Sequence, residues 1–82
     1  MTARIVSGLA RAAYLEELAR LRTQAGLSRQ ELAERLGVKE SDVARSEAGS
    51  RRVSVMELQL WAFACDSTLE DFGRRLDERA RQ

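Results

Sequence analysis

An all-α fold, a compact set of five helices in one domain, is what this sequence predicts, and three observations carry that expectation. None of the 82 residues is proline, so no helix interior loses a backbone donor or meets a ring clash. Apolar residues recur at helical spacing through most of the chain, with capping signals ahead of the periodic segments. Charged residues make up 33% of the chain and aromatic residues 5%, a balance that suits short helices with solvated faces.

The elements follow in order. Met1 to Gly8 shows no pattern and reads as an N-terminal arm (1–8), leaving 9–82 as the domain. A first helix from about Leu9 to Ala25 places Leu15, Leu18, Ala19, Leu21, Arg22 and Ala25 at helical spacing, and Gly26 ends it. Ser28 and Glu31 then form a capping box, flanked by Leu27 and Leu32 at the spacing of a hydrophobic staple, so a second helix runs from Arg29 to Leu36. Its face is Leu32, Ala33 and Leu36, with the small Ala33 allowing the next helix to cross closely. Gly37 reverses the chain, and a third helix from Glu40 to Ala48 follows, ended by Gly49. Val38 and Val43 are expected to face the core, while Glu40, Ser41, Ala44 and Arg45 point outward. Two short helices joined by a tight turn, the second with a polar and cationic exposed face, constitute a helix-turn-helix. Ser54 and Glu57 form another capping box with Val53 and Leu58 as its staple, opening a fourth helix whose core face is Leu58, Trp61, Ala62 and Cys65. A fifth helix should begin near Ser67 or Thr68 and run to about Ala80, with Leu69, Phe72 and Leu76 on one side.

Composition narrows the function. The chain has no histidine, no Cys-x-x-Cys and no glycine-rich phosphate loop, so neither catalysis nor metal binding is expected, and no cofactor. Its one cysteine cannot form an internal disulfide and suits a reducing compartment. No apolar run approaches the roughly 18 residues that span a bilayer, and the first residues lack signal-peptide architecture, so a cytoplasmic protein without membrane association is expected. So short a chain buries only about 60% of its unfolded surface, and dimerisation would add to its stability. Trp61 and Phe63 cannot both point inward from one helix. Trp61 is assigned to the core, and Phe63, with Leu69 or Leu76, to a candidate dimer interface; a merely exposed aromatic is the alternative. Cys65 reads as a small core residue rather than a redox sensor. Arg74, Arg75, Arg79 and Arg81 alternate with Asp71, Asp77 and Glu78 and read as a solvated, ion-paired face. The net charge of +1 argues neither for nor against nucleic acid, because what counts is its distribution.

From about Leu18 to Phe72 the chain resembles the phage-repressor and Cro-like helix-turn-helix regulators, also called the xenobiotic-response-element family. The residues that carry the likeness are Leu21-Arg22, Gly26-Leu27-Ser28, Glu31-Leu32-Ala33, Leu36-Gly37-Val38, Val43, Glu47, Gly49, Arg51, Ser54, Leu58 and Ala62. Within that family, the run from Gly49 to Leu58 is similar to compact stand-alone regulators, including restriction-modification controller proteins. The resemblance implies a five-helix lambda-repressor-like DNA-binding domain, with helix three in the major groove and helix two across the phosphate backbone. Carried over by position, the base-contact candidates are Glu40, Ser41, Ala44 and Arg45. Arg45 is the one able to donate two hydrogen bonds to guanine O6 and N7. The phosphate-contact candidates are Arg29, Lys39, Arg51, Arg52 and Ser54. Arg22 and Glu47 match a pair that the family uses as an internal salt bridge from helix one to the end of helix three; the alternative is that both are solvated.

The function so implied is a sequence-specific transcriptional regulator, a repressor by family habit, binding double-stranded DNA as a homodimer on an inverted repeat. Alternatives are the antitoxin of a toxin-antitoxin pair that represses its own operon, and a protein-interaction adaptor that keeps the fold without the groove contacts. Either would have a protein partner, a toxin or the transcription machinery. Five positions depart from the family pattern: Arg29 in place of Gln, Lys39 as a poor cap, Ser46 for an apolar residue, Val53 for Pro and Asp66 for Gly. Glu40 and Asp42 place two acids on the groove-facing helix, where they would repel phosphates and favour the adaptor.

Overall fold

The computed structural model describes residues 7–81. Five helices follow one another: α1 (Ser7–Gln24), α2 (Arg29–Leu36), α3 (Glu40–Ala48), α4 (Val55–Ala64) and α5 (Leu69–Ala80). Residues 1–6, most of the expected arm, lie outside the described residues. Helix α1 begins at Ser7, two residues earlier than the periodicity suggests, so Ser7 and Gly8 of the expected arm belong to it.

Local chemistry explains the boundaries. Ser28 Oγ accepts from the Glu31 amide at 3.0 Å while Glu31 Oε1 accepts from the Ser28 amide at 2.9 Å, and Ser54 and Glu57 repeat the arrangement at 3.1 and 3.2 Å. Thr68 caps α5 through its Oγ1, which accepts from the Asp71 amide at 3.0 Å. Lys39 has no side-chain acceptor to offer α3. Asp42 compensates in part, its Oδ2 accepting from the Lys39 amide at 3.3 Å.

The first four helices end in one way, with a left-handed residue followed by an amide that reaches back to the carbonyl five positions earlier. The bonds are Leu27 to Arg22, Val38 to Ala33, Ser50 to Arg45 and Ser67 to Ala62, at 2.8–3.1 Å. The left-handed positions are Gly26, Gly37, Gly49 and Asp66, the last at φ 56°, a conformation that aspartate tolerates better than most residues.

Helix α1 packs against α5 and α3, α2 against α3 and α4, and α4 against α5. Leu18, Leu21, Leu27, Leu32, Ala33, Val43, Trp61, Ala62, Cys65 and Phe72 form the core, and Tyr14 meets Phe72 edge to face with ring centroids 6.1 Å apart. Leu58 and Leu76 pack against it half-buried. Val38 does not join them. It is 37% exposed at the rim of a small cavity lined by Leu36, Val43, Leu60 and Trp61, because the left-handed turn at Gly37 carries the chain outward before α3 begins. Ser46, at a usually apolar position, is buried but satisfied: its Oγ donates to the Asp42 carbonyl at 2.7 Å and accepts from Arg51 Nη1 at 3.2 Å.

The α1–α5 contact contains a buried acid that periodicity does not announce. Glu17 is 2% exposed; its Oε1 accepts from Arg75 Nε at 3.0 Å, and Arg79 Nε stands 2.8 Å from Oε2. Arg79 also pairs with Glu16. The arginines of α5 therefore divide: Arg74 pairs with Asp71 and Glu78 along the exposed helix surface, whereas Arg75 and Arg79 cross to α1. The solvated face expected of this cluster holds for Arg74 and its partners and for exposed Asp77 and Arg81, but not for Arg75 and Arg79. Among the described residues no helix is long and apolar enough to cross a membrane, and no cluster of His, Cys, Asp or Glu is placed to hold a metal ion.

Candidate nucleic-acid interface

Helix α3 divides cleanly by periodicity. Val43 and Ser46 are buried, while Glu40, Ser41 and Arg45 are exposed and Ala44 is half-buried beside them. Residues at i, i+1, i+4 and i+5 share one helix face, so these four side chains form one outward strip. Two left-handed turns hold that strip in place, at Gly37 before the helix and Gly49 after it. Gly49 is further anchored from α1, since Arg11 Nη2 donates to its carbonyl at 2.7 Å. A Cβ at Gly49 would run into that same Nη2 and meet Leu15 Cδ1 at 3.0 Å, so a side chain here makes the Arg11 guanidinium shift from this contact.

Arg22 and Glu47 tie the end of α1 to the end of α3. Arg22 Nε donates to Glu47 Oε2 at 2.6 Å and Nη2 to Oε1 at 3.1 Å, while Nη1 caps the Leu27 carbonyl at 3.0 Å. The Glu47 side chain is 4% exposed and that of Arg22 13% exposed, so the pair is withdrawn from solvent. The Glu47 carboxylate raises the Arg22 pKa above its usual value through this hydrogen bond, against the opposing effect of burial. Arg29 joins as a third member, its Nε donating to Glu47 Oε1 at 3.1 Å while the side chain stays half exposed. Nothing in the spacing of Arg29 and Glu47 announces this bridge. It depends on the angle between α2 and α3.

The remaining cationic candidates separate by their partners. Arg51 is turned to internal work: Nη2 donates to Glu57 Oε2 at 2.8 Å, Nη1 to Ser46 Oγ at 3.2 Å, and Nε stands 4.0 Å from Asp42 Oδ1. Arg52 and Lys39 are exposed, and neither side chain has a hydrogen-bonding or ion-pair partner among the described residues. Ser54 spends its acceptor on the Glu57 amide, which leaves its own hydroxyl proton available. Arg45 Nη2 donates to Asp42 Oδ1 at 2.7 Å.

The acids are accounted for in the same way. Glu31 is engaged in the α2 cap, Glu47 is buried between two arginines, Asp42 is bonded to Arg45, and Glu57 to Arg51. Arg45 holds the Asp42 carboxyl below its ordinary value, Arg51 does the same for Glu57, and the Ser28 amide for Glu31. Glu40 is the acid that stays exposed on the α3 strip with no recorded partner among the described residues. The same bonds occupy Arg22, Arg29, Arg45 and Arg51, so the cations of this stretch without a carboxylate partner among the described residues are Arg35, Lys39 and Arg52, against exposed Glu34 and Glu40.

Of the interface candidates, Phe63 is 53% exposed and continues an apolar surface on α4 with Val55, Met56 and Leu60. Leu69 and Leu76 are half-buried. Cys65 is buried and its thiol pushed up to about 11 by that burial, the property of an inert core cysteine.

A family model described as a helix-turn-helix domain matches residues 13–71. The match runs from α1 into α5 and includes every candidate DNA-contact residue named above. The chain matches no curated protein and no solved structure.

Proposed function

We propose that this chain, which belongs to the helix-turn-helix domain family, is a sequence-specific DNA-binding regulator that works as a homodimer on an inverted repeat. The family accounts for DNA binding as the class of function. The observation that carries the finer reading is the α3 strip of exposed Glu40, Ser41 and Arg45 with half-buried Ala44, on a helix whose C-terminal end is braced from α1.

In this reading α3 enters the major groove. Arg45 donates to a guanine edge, Glu40 accepts from a cytosine amino group, and Ala44 touches a thymine methyl. Arg29, Lys39 and Arg52 meet phosphates, and the amides at the N-termini of α2 and α4 supplement them, with the Ser54 hydroxyl beside the latter. Arg51 acts one step back, fixing the α3–α4 loop through Glu57 so that Arg52 is held near the backbone. The second copy docks through the apolar surface around Phe63, and the half-sites lie about one helical turn apart, roughly 34 Å, as in helix-turn-helix dimers generally. Repression follows if the operator overlaps a promoter.

The exposed surface of Val55, Met56, Leu60 and Phe63 also suits a partner protein, as an antitoxin or adaptor would need. One experiment separates the DNA-binding readings, the antitoxin's included, from the adaptor. Selection of bound duplexes from a random library by the purified chain, followed by titration at two salt concentrations, should enrich a palindrome and show a steep fall in affinity with salt. A folded protein that enriches nothing refutes the DNA reading and leaves the adaptor.

A further inference from the structure

We propose that Asp42 is a positioning residue for base readout, holding the Arg45 guanidinium in one pose before DNA arrives. The inference rests on the DNA-binding reading above and assigns a role to an acid that, from sequence, counts against that reading.

The geometry is a chain of fixed points. Asp42 Oδ2 is tethered to the backbone by the Lys39 amide at 3.3 Å, and Oδ1 accepts from Arg45 Nη2 at 2.7 Å. On its other side Arg51 Nε stands 4.0 Å from Oδ1, and Arg51 is itself held by Glu57 at 2.8 Å. The acid is the less exposed partner, 22% against 57% for Arg45, so the carboxylate forms the fixed base and the guanidinium the accessible tip. Both charges are thus committed to one another, and Asp42 presents little net charge to an approaching phosphate.

Arg45 keeps its capacity to read a base in this pose. A guanidinium has two edges that each offer a pair of parallel protons, and the terminal nitrogen Nη2 contributes one proton to each. Asp42 takes a single bond from Nη2. Whichever of its protons is used, the other edge remains complete for guanine O6 and N7. An unanchored arginine could swing to a phosphate and contribute affinity at any sequence; one held by Asp42 loses little further rotamer freedom at a matching base and cannot follow a mismatch.

The test uses the intact chain and the duplex it selects. Affinities are measured for that duplex, for its variants at the base pair that Arg45→Ala relaxes, and for an unrelated duplex. The proteins compared are the wild type, Asp42→Asn, Arg45→Ala and the double variant. Asparagine keeps an acceptor for the Lys39 amide and removes the charge. Discrimination at that base pair should fall about tenfold in Asp42→Asn, with affinity for the unrelated duplex unchanged or raised, and no further loss in the Arg45→Ala background.

Equal weakening on every duplex, or the same loss with and without Arg45, would reduce Asp42 to a helix cap and overturn the proposal. Side-chain nitrogen relaxation on the free wild type provides a reading that needs no variant to fold: Arg45 should be ordered like Arg51, and an Arg45 as mobile as Arg52 overturns the assignment. A wild type that selects no duplex sinks the DNA reading and this inference together. Selection with unaltered discrimination in Asp42→Asn sinks this inference alone.

Discussion

The Arg22–Glu47 pair offers the sharpest quantitative test. Were both side chains solvated, their coupling would be about 0–1 kcal/mol. They are not: the carboxylate is 4% exposed, the guanidinium 13%, and two hydrogen bonds of 2.6 and 3.1 Å join them. Charge-assisted bonds of that kind contribute about 1.5–3 kcal/mol each when one is removed from a desolvated site. The figure must be discounted, because Arg29 still donates to Glu47 after Arg22 is gone, from a side chain that is 51% exposed. A coupling of about 2 kcal/mol remains. Arg22→Ala alone should cost more, about 3 kcal/mol, since it also strips the donor from the Leu27 carbonyl. In a domain of this length that is a large share of total stability, a fall in melting temperature of roughly 15 °C. The assay is urea unfolding, followed by far-ultraviolet circular dichroism, of the wild type, Arg22→Ala, Glu47→Ala and the double variant. Coupling below about 0.5 kcal/mol would show that the burial and bond lengths have been misread as energy.

Three further outcomes follow from the same contacts. Arg29→Ala should weaken binding to all duplexes alike and reduce the salt slope by ~1, measured by titration over a salt series; a loss confined to the preferred site would contradict a phosphate contact. Gly49→Ala should destabilise by about 2 kcal/mol and Gly37→Ala by about 1 kcal/mol. Both share a left-handed backbone, but an added Cβ meets Arg11 and Leu15 only at Gly49, so equal costs in urea unfolding would deny the Arg11 contact any weight. Acid should unfold the protein through Asp42, Glu57, Asp71 and Glu31, whose carboxyls sit below their ordinary values because of Arg45, Arg51, Arg74 and the Ser28 amide. The unfolded chain then binds more protons, so this stability is present above about pH 5 and is lost as pH falls below about 4. A urea midpoint that stays constant or rises over that interval would be inconsistent with these ion pairs.

What the sequence determined by itself was everything carried by neighbours three to five residues apart. The boxes at Ser28–Glu31 and Ser54–Glu57, the left-handed ends at Gly26, Gly37 and Gly49, and the division of α3 into a buried Val43 side and an exposed Arg45 side are interactions within one or two turns. Such contacts form in any fold that keeps the helix, which is why α2 and α3 match their expected bounds. The Asp42–Arg45 spacing was equally local and visible; what it lacked was the burial that separates a fixed bond from a passing one.

The tertiary structure decided which charges meet across helices. Whether Glu47 reaches Arg29 as well as Arg22, whether Arg51 faces outward or turns to Glu57, and whether Arg75 and Arg79 lie in solvent or close over Glu17 depend on crossing angles and on long side chains with many rotamers. Val38 belongs with them, since its exposure follows from the direction in which one turn releases the chain. Periodicity records how often a residue returns to a helix face, and it carries no information about what stands opposite that face.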